Sequence, residues 1–375
     1  MRVLITGANG FIGRNLRQHL AERPDVEVLV ITRESSDEDL ARAVSQAEFV
    51  FHLAGVNRPE DPEEFQRGNA GLTARLCEQI AARARDEGRT IPVVFSSSIQ
   101  ATRDNPYGKS KRDAEDEVFT LSKEWAVPVH VFRLPNVFGK WSRPNYNSVV
   151  ATFCHNVAQG LPLQVNDASA PLTLVYVDDV VRRFLRLLDG VSANPLPEGF
   201  GQVQPEYTTT VGALAQTIRG FRESRRSLVT DRVGAGLTRA LHSTYLSFLR
   251  PEQFSYTVPQ HGDARGVFVE MLKTPDCGQF SYFTAHPGVT RGGHYHHSKT
   301  EKFLVIKGTA RFKFHHMQTG EAHELVTHGE QAEIVETVPG WTHDITNIGD
   351  DELVCMLWAN EIFDRDNPDT YACPL

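Results

Sequence analysis

Two groups of residues in this chain of 375 residues have types and spacings that can do chemistry. The first is a trio of glycines, Gly7, Gly10 and Gly13, close to the N-terminus. The second is the histidine-rich segment 294–301, far downstream. The glycine trio is typical of a site that binds a dinucleotide, and the histidines are typical of a metal site in a β-barrel. We therefore expect the chain to perform two steps on one substrate.

The glycines lie in the run Thr6-Gly-Ala-Asn-Gly10-Phe-Ile-Gly13, between a predicted strand and a predicted helix. We expect Gly7 to allow a tight turn, Gly10 to let the backbone approach a pyrophosphate, and Gly13 to let the helix pack on the sheet. The N-terminus of the helix would supply free N–H groups and the positive end of its dipole. Because the spacing differs from the usual GxGxxG pattern, a plain turn between strand and helix is the alternative.

Arg33 follows the second predicted strand, where a site for NAD would carry a carboxylate that binds the ribose 2′-hydroxyl. A guanidinium at this position fits the 2′-phosphate of NADP, so the sequence favours NADP(H). The alternative is a solvated surface arginine, since Glu34 is its neighbour.

A serine run and a Tyr–Lys pair are the catalytic candidates of the N-terminal half. Ser97 and Ser98 end a predicted strand, and Tyr107 and Lys111 share one face of a predicted helix. The ammonium of Lys111 should lower the pKa of the Tyr107 phenol, because it favours the phenolate. Tyr107 could then give a proton to a carbonyl oxygen as hydride reaches the carbon, with Ser98 as a second hydrogen-bond donor. The choice between Ser97 and Ser98 stays open at this point.

Four side chains form the candidate metal site. On a strand, His294 and His296 point to one face, Glu301 follows on the same hairpin, and His343 comes from a later segment. Three imidazoles and one carboxylate suit Zn²⁺, Fe²⁺, Mn²⁺ or Ni²⁺, and we expect one divalent ion, with Zn²⁺ first. A metal-free barrel is the alternative. Lys302 is a candidate base or oxyanion partner, or else a solvated strand residue.

Alternating strands and helices must position the N-terminal candidates. Buried strands are predicted at residues 3–6, 26–31, 49–53, 92–95 and 129–132, and helices at 11–21 and from Pro62 onward. This alternation predicts an α/β, Rossmann-like, doubly wound parallel sheet.

A different pattern begins near Phe254. Short β-rich runs broken by Gly and Pro occur at residues 266–271, 279–284, 302–306, 310–314, 331–335 and 353–358. Regular short strands with turn signals indicate an all-β barrel or sandwich. We therefore predict two domains, residues 1–245 and 254–375, joined where a helical stretch ends at Pro251.

Composition and charge exclude several classes of protein. The formal net charge of −8, without a cluster of Lys and Arg, argues against a nucleic-acid partner. Five scattered cysteines without a CxxC pair indicate a reduced, cytoplasmic protein. No apolar run approaches the ~20 residues that a bilayer span requires, so no membrane partner is expected.

The N-terminal half resembles the extended short-chain dehydrogenase/reductases of the nucleotide-sugar type. The resemblance rests on the glycine motif, Asn69, the Tyr107–Lys111 pair and the segments 52–55, 133–139 and 175–180. It implies that Tyr107 and Lys111 are catalytic, together with Ser98. The implied NADP(H) contacts are Thr6, Gly7, Asn9, Gly10, Phe11, Ile12, Gly13, Thr32, Arg33, Leu53, Ala54, Gly55, Tyr107, Lys111, Leu134 and Asn136. The implied contacts with a UDP-sugar are Asn69, Ser97, Asn136, Asn145, Asn147 and Ser148, although a loop cap is an equal explanation for the last three.

The C-terminal half resembles the cupins. It matches their first motif completely, as Gly288-x₅-His294-x-His296-x₄-Glu301-x₆-Gly308, and their second only in Gly340, His343 and Asn347. Segments 263–270 and 291–294 resemble the sugar-nucleotide 3,5-epimerases of the cupin class. Those enzymes abstract a proton next to a 4-keto group, and here a metal could hold the enolate oxygen.

The order of the two halves resembles bifunctional enzymes of capsular-polysaccharide synthesis. This resemblance implies that the cupin epimerises C3 of a UDP-4-keto-6-deoxy-N-acetylhexosamine, that the reductase half then reduces the C4 ketone with NADPH, and that the protein is a homodimer. One alternative is a sugar-nucleotide 4-epimerase or dehydratase with tightly held NAD⁺ and a cupin that only binds sugar. Another is a non-enzymatic, NADP-binding redox sensor. The intact Tyr107–Lys111 pair speaks against a sensor, which has no need of a proton donor.

Overall fold

The computed structural model describes residues 1–190, 199–263, 266–269, 272, 278–361, 364 and 366–375. The chain divides into two compact units. The N-terminal unit consists of Met1–Ser148 and Leu172–Thr208, and the C-terminal unit of Val149–Pro171 and Thr209–Leu375. The first contains a parallel sheet with helices and the second mostly antiparallel sheets, which confirms the expected α/β and all-β fold classes.

Strands and helices alternate along the first 210 residues. The strands are β1 (Arg2–Thr6), β2 (Glu27–Ile31), β3 (Phe49–His52), β4 (Val93–Ser98), β5 (Val129–Leu134), β6 (Asn136–Phe138), β7 (Pro171–Tyr176), β8 (Phe200–Gly201) and β9 (Glu206–Thr210). The helices are α1 (Phe11–Ala21), α2 (Asp37–Gln46), α3 (Glu63–Phe65), α4 (Leu72–Glu87), α5 (Pro106–Trp125), α6 (Val149–Gln159) and α7 (Val177–Leu188). A π-helical turn, Gln66–Gly71, links α3 to α4, and a 3₁₀ turn, Ile99–Thr102, follows β4.

The main sheet of the N-terminal unit has the strand order β2-β1-β3-β4-β5-β8, and its paired strands are parallel. One apolar cluster covers a face of the sheet with α1 and α7, and a second cluster covers the other face with α2, α4 and α5. Burial on both faces explains why these strands are almost continuously apolar. The carboxyl ends of β1, β3, β4 and β5 lie at one edge, which is where ligands bind in open α/β sheets.

Among the described residues, the C-terminal unit contains α6, two further α-helices and twelve strands. The helices are α8 (Val211–Ser227) and α9 (Gly236–Leu246). The strands are β10 (Ser255–Thr257), β11 (Gln260–Asp263), β12 (Gly266–Val269), β13 (Gln279–Ala285), β14 (Thr290–Tyr295), β15 (Glu301–Lys307), β16 (Thr309–His316), β17 (Ala322–His328), β18 (Glu333–Glu336), β19 (Trp341–Asn347), β20 (Leu353–Ala359) and β21 (Tyr371–Ala372). Nowhere in the described ranges is a helix both long and apolar enough to cross a bilayer.

Two five-stranded sheets form the barrel. Their strand orders are β10-β18-β15-β20-β13 and β17-β16-β19-β14-β21, and β11 pairs separately with β12. The inner faces pack on each other through aromatic side chains, since the rings of Phe303 on β15 and Phe312 on β16 lie 5.6 Å apart between centroids. Alternation along each strand therefore decides which side chains reach the barrel interior.

The helices α8 and α9 are tied to the barrel by polar contacts. Arg225 on α8 donates from Nε to Glu336 on β18 at 3.0 Å, and the Asn360 amide donates to the backbone oxygen of Val233 at 3.2 Å. Arg239 on α9 pairs with Glu361 at 3.2 Å. The division into units therefore differs from the expected domains 1–245 and 254–375, because segments 149–171 and 209–253 pack with the barrel.

Candidate functional site

The turn between β1 and α1 requires glycine at two of its three positions. Gly7 has φ +70°, and a Cβ placed on it would lie 2.6 Å from the backbone nitrogen of Ala54. A Cβ on Gly13 would lie 2.3 Å from the oxygen of Gly7. Both distances are shorter than atomic contact permits, so the tight turn and the close helix packing expected from the sequence are present.

The first turn of α1 has no capping side chain. Gly10 is its N-cap residue, and no side chain of the described residues caps this end. The side chain of Asn9 points back to α1, where its oxygen accepts from Arg17 at 3.0 Å, and Phe11 and Ile12 begin the helix. The N–H groups of Gly7 and Gly10 donate to the backbone oxygens of Ile31 and Gly7, so the first amide groups of α1 itself are the ones that could bind an anion.

Thr6 links the glycine turn to the segment Leu53-Ala54-Gly55 behind β3. Its hydroxyl oxygen accepts from the backbone N–H of Ala54 at 3.3 Å and is hydrogen-bonded to Nδ1 of His52 at 2.6 Å. Burial lowers the pKa of His52 to about 3, so the imidazole is neutral at physiological pH. The residues after β1 and β3 that are expected to bind the dinucleotide are therefore linked to one another by hydrogen bonds.

Arg33 is exposed in the turn that follows β2. Its neighbours bind each other, since the Thr32 hydroxyl donates to Glu34 at 2.5 Å and thereby lowers the pKa of that carboxyl. A solvated guanidinium at this place is compatible with both interpretations of Arg33 made above.

The start of α5 places Tyr107 in the first helical turn. The Asn105 side chain caps the helix by accepting from the N–H of Gly108 at 2.8 Å, and Pro106 occupies the first helical position. A Cβ on Gly108 would lie 2.4 Å from the backbone oxygen of Gln100, so a glycine here lets the helix approach the preceding turn. The glycine that follows Tyr107 is thus required by packing.

Ser98 at the end of β4 lies close enough to the phenol of Tyr107 to affect its pKa. Burial raises the pKa of that phenol, the Ser98 hydroxyl lowers it, and the nearby phenol of Tyr146 raises it again, with a net increase. Burial is therefore the largest effect on this phenol, and the lowering of its pKa by Lys111 stays a prediction. A phenol with a raised pKa is held as a proton donor.

Lys111 is buried one helical turn after Tyr107 on α5. Its ammonium donates to the backbone oxygen of Ser96 at 3.1 Å, and burial lowers its pKa to about 8, against a smaller raising effect of Glu115. A Cβ on Gly55 would lie 3.1 Å from Nζ of Lys111, so the glycine after β3 leaves space for the ammonium.

Two residues that were expected to contact the substrate, Ser97 and Asn69, form hydrogen bonds within the protein. The Ser97 hydroxyl donates to the buried carboxylate of Glu115, which also pairs with Arg133 at 2.6 Å. The side chain of Asn69, in the π-helical turn, accepts from the N–H of Val56 at 2.8 Å and donates to Ser110 at 2.9 Å. Ser98, rather than Ser97, adjoins the phenol.

The remaining candidates lie beyond β5. Leu134 is buried at the end of β5, and the Asn136 amide donates to the backbone oxygen of Thr173 at 3.1 Å. Asn145, Asn147 and Ser148 belong to the loop before α6, where Asn145 has φ +53°. Tyr146 in this loop is close enough to affect the pKa of Tyr107, so the loop borders this candidate residue. Sequence reasoning missed Tyr146, because a tyrosine in a loop carries no motif.

Four side chains of the barrel converge on one point. Each of His294, His296, Glu301 and His343 offers a ligand atom, and these atoms lie within 4.8 Å of one another. His294 and His343 are direct cross-strand partners on β14 and β19. Nε2 of His296 lies 3.1 Å from the Glu301 carboxylate, and Nε2 of His343 lies 3.5 Å from it.

The chemistry of this cluster fits a divalent cation. Burial, with help from neighbouring imidazoles, lowers the pKa of His294 to about 4, and burial also lowers the pKa of His343. Burial would raise the pKa of Glu301, but His296 and His343 hold it well below its ordinary value. Both ring nitrogens of His343 are buried without a hydrogen-bond partner among the described residues. Neutral imidazoles, a carboxylate and unpaired buried nitrogens are what a zinc site requires.

The connection between the ligands differs from the expected hairpin. β14 and β15 belong to different sheets, so the segment between His296 and Glu301 crosses from one sheet to the other. The ligands therefore come from both walls of the barrel.

Lys302 does not face the cluster, contrary to its expected catalytic role. It follows Glu301 on β15, so alternation directs it to the opposite face of the strand. There its buried ammonium pairs with Glu336 at 3.0 Å and donates to the Tyr256 hydroxyl at 2.6 Å. The alternative of a solvated residue is also wrong, because Lys302 is buried. Of the epimerase-like segment 263–270, residues Ala264, Arg265 and Glu270 lie outside the described residues.

Two family models match the chain. The NAD dependent epimerase/dehydratase family matches residues 3–200, and the Polysaccharide biosynthesis C-terminal domain matches residues 261–371. These two matches fall on the two groups of candidate residues.

The chain is also similar over its full length to proteins from two organisms. It is 63% identical to the UDP-2-acetamido-2,6-beta-L-arabino-hexul-4-ose reductase of Pseudomonas aeruginosa, over 100% of this chain and 98% of that protein. The crystal structure of the capsular polysaccharide assembling protein CapF from Staphylococcus aureus superposes with a TM-score of 0.68 at 39% identity, with 100% of both chains covered. A CapF structure with the inhibitor 3-isopropenyl-tropolone gives a TM-score of 0.63 at 34% identity, again over 100% of both chains.

Proposed function

Because the chain belongs to the NAD dependent epimerase/dehydratase family, we propose that it is a bifunctional nucleotide-sugar enzyme of surface-polysaccharide synthesis. Its barrel epimerises C3 of a UDP-4-keto-6-deoxy-N-acetylhexosamine. Its N-terminal unit then reduces the C4 ketone with NADPH, and the product is UDP-2-acetamido-2,6-dideoxy-L-talose. The observation that carries this proposal is the full-length identity of 63% with a reductase named for a hexul-4-ose, a sugar with a ketone at C4.

The reductase step needs a hydride and a proton. NADPH supplies the hydride to C4, and the proton must reach the C4 oxygen from the protein. Tyr107 is the donor in this proposal, since burial raises the pKa of its phenol and keeps it protonated. Ser98 binds the same oxygen and orients the ketone. Lys111, buried one helical turn after Tyr107, stabilises the negative charge left on the phenol.

A preference for NADPH over NADH is part of the proposal. The exposed guanidinium of Arg33 would bind the 2′-phosphate, and the open first turn of α1 would bind the pyrophosphate. Thr32, Leu53, Leu134 and Asn136 would line the remaining contacts with the dinucleotide. The substrate would lie against the loop that carries Asn145, Asn147 and Ser148.

The epimerisation step needs stabilisation of negative charge next to C3. A divalent ion, Zn²⁺ in this proposal, supplies that charge stabilisation when it is bound. His294, His296, Glu301 and His343 would hold it, since their ligand atoms cluster within 4.8 Å of one another. The carboxylate and the neutral imidazoles leave room for a substrate oxygen as a further ligand. Lys302 has no part in this step, because its ammonium is bound to Glu336.

The chemistry of the products separates this proposal from its alternatives. A 4-epimerase or dehydratase recycles its nicotinamide and consumes no NADPH, and a sensor converts no sugar. Incubation with a UDP-4-keto-6-deoxy-N-acetylhexosamine in D₂O, followed by NMR, tests all three. We expect deuterium at C3 without NADPH, and a reduced C4 with stoichiometric oxidation when NADPH is added. Turnover without net NADPH oxidation would favour the 4-epimerase or dehydratase.

We also propose that the enzyme is a cytoplasmic homodimer. The four cysteines described, Cys77, Cys154, Cys355 and Cys373, are free thiols, as in a reducing compartment. Light scattering after size-exclusion chromatography gives the mass in solution, and a monomer would contradict the dimer.

A further inference from the structure

We propose that the C-terminal segment 368–373 is part of the metal site, and that Asp369 is the residue that positions the ligand His296. This inference rests on the proposed metal site and adds a residue that no motif indicates. It concerns the C-terminal unit alone.

The backbone of Asp369 selects which nitrogen of His296 can bind the ion. Its carbonyl oxygen, which can only accept, lies 2.6 Å from Nδ1 of His296, so Nδ1 donates to it. Nε2 is the nitrogen that faces the other candidate ligands, 3.1 Å from the Glu301 carboxylate. Such outer partners fix the tautomer and the orientation of a ligating imidazole.

The side chain of Asp369 holds the loop that joins two ligands. Its carboxylate accepts from the backbone N–H groups of His297 and Ser298 at 2.9 Å each and of Lys299 at 2.8 Å. The Ser298 hydroxyl donates to the same carboxylate at 3.0 Å. Four donors on one partly buried carboxylate determine the path of the loop between His296 and Glu301.

The rest of the segment is bound to the strands that carry the other two histidines. β21 pairs with β14, with Ala372 opposite His294. The N–H of Cys373 donates to the oxygen of Gly293 at 2.7 Å, and the Thr342 hydroxyl donates to the oxygen of Cys373 at 2.6 Å. Gly293 precedes His294 and Thr342 precedes His343, so one short segment supports all three imidazoles.

The backbone of Asp369 itself suits this role. Its φ of +38° lies in the left-handed region, which a non-glycine residue adopts rarely and Asp tolerates better than most. The side chain and the carbonyl can therefore act on the same loop from one residue. Replacement of the carboxylate removes the hydrogen bonds that hold this backbone conformation, so the carbonyl should also leave His296.

The test compares metal binding by the full-length wild type, Asp369→Ala, Asp369→Asn and the control Asp366→Ala. Asp366 is exposed and lies two residues before this segment. Metal-free protein is titrated with Co²⁺ and with Zn²⁺ in competition with a chromophoric chelator. We expect Asp369→Ala to bind about 10- to 100-fold more weakly and to change the visible spectrum of bound Co²⁺. Asp366→Ala should match the wild type.

Asp369→Asn keeps one acceptor oxygen, so its affinity should lie between those of Asp369→Ala and the wild type. It also decides the matter if Asp369→Ala fails to fold. Wild-type affinity and an unchanged Co²⁺ spectrum in a folded Asp369 variant would overturn the positioning role while leaving the metal site intact. If the wild type itself binds no ion, the proposed metal site fails, and the role of Asp369 fails with it. NADPH binding by each variant reports that the N-terminal unit is folded.

Discussion

Replacement of Tyr107 by Phe should separate the two proposed activities. Phe keeps the ring, which packs on Phe65 with 5.6 Å between centroids, so the fold should be retained. The change removes the hydroxyl that lies near Ser98. It also removes the proton donor, and a positioned general acid contributes about 10²- to 10⁴-fold to the rate, or about 3–5 kcal/mol of barrier.

The assay follows NADPH oxidation by absorbance and deuterium uptake at C3 by NMR in D₂O. We expect the rate of NADPH oxidation to fall by about 10²- to 10⁴-fold. Deuterium exchange at C3 should continue, because all four side chains of the candidate metal site belong to the C-terminal unit. Tyr282→Phe is the matched control, since Tyr282 is 73% exposed, and both of its activities should be unchanged. Loss of C3 exchange in folded Tyr107→Phe, or nearly normal NADPH oxidation, would refute the division of labour.

Three further predictions concern the cofactor, the metal and the barrel. Arg33→Asp should lower kcat/KM with NADPH by about tenfold to a hundredfold and so reverse the preference for NADPH over NADH. Equal kcat/KM for the two cofactors in the wild type would disprove the role of Arg33. Removal of the metal by a chelator, or the variant His296→Ala, should lower the melting temperature of the C-terminal unit and stop C3 exchange. NADPH should still bind. An unchanged metal content in His296→Ala would show that His296 is not a ligand. Glu336→Gln should destabilise the protein by about 3–5 kcal/mol in urea titrations, because it leaves Arg225 and Lys302 buried without their counterion. Burial would raise the pKa of Glu336, but Arg225 and Lys302 lower it from 4.5 to about 2, so this stabilisation is complete above pH 4.5 and is lost as the pH falls towards 2. A Glu336→Gln variant with wild-type stability and the same acid sensitivity would contradict this account.

The fold classes and most of the candidate clusters could be predicted because their patterns are local. Gly7 and Gly13 are required by a turn of a few residues, and Tyr107 and Lys111 are four positions apart on one helix. The apolar runs of β1 and β3 reflect burial on both faces of a parallel sheet. Such features depend on neighbours along the chain, so a sequence pattern is sufficient to find them.

Strand β14 shows where local patterns are insufficient. Its residues Thr290–Tyr295 include Gly292 and Gly293, which disfavour strands, and they lie outside the β-rich runs named above, although His294 and His296 were expected to share a strand. Pairing with β19 and β21 makes it a strand, with a bulge between Gly292 and His294. This pairing places His294 opposite His343, which lies far from it along the chain.

The sequence by itself determined that a dinucleotide turn, a Tyr–Lys pair and a histidine–carboxylate cluster share one chain, since each is defined by residue type and short spacing. Only the tertiary structure decided that Ser98 and not Ser97 adjoins Tyr107, and that Lys302 points away from Glu301 towards Glu336. It also brought Asp369 to His296. These outcomes depend on which face of a strand a side chain occupies and on contacts between distant segments. A shift of a strand by one residue moves each side chain to the opposite face, although the local sequence pattern stays the same.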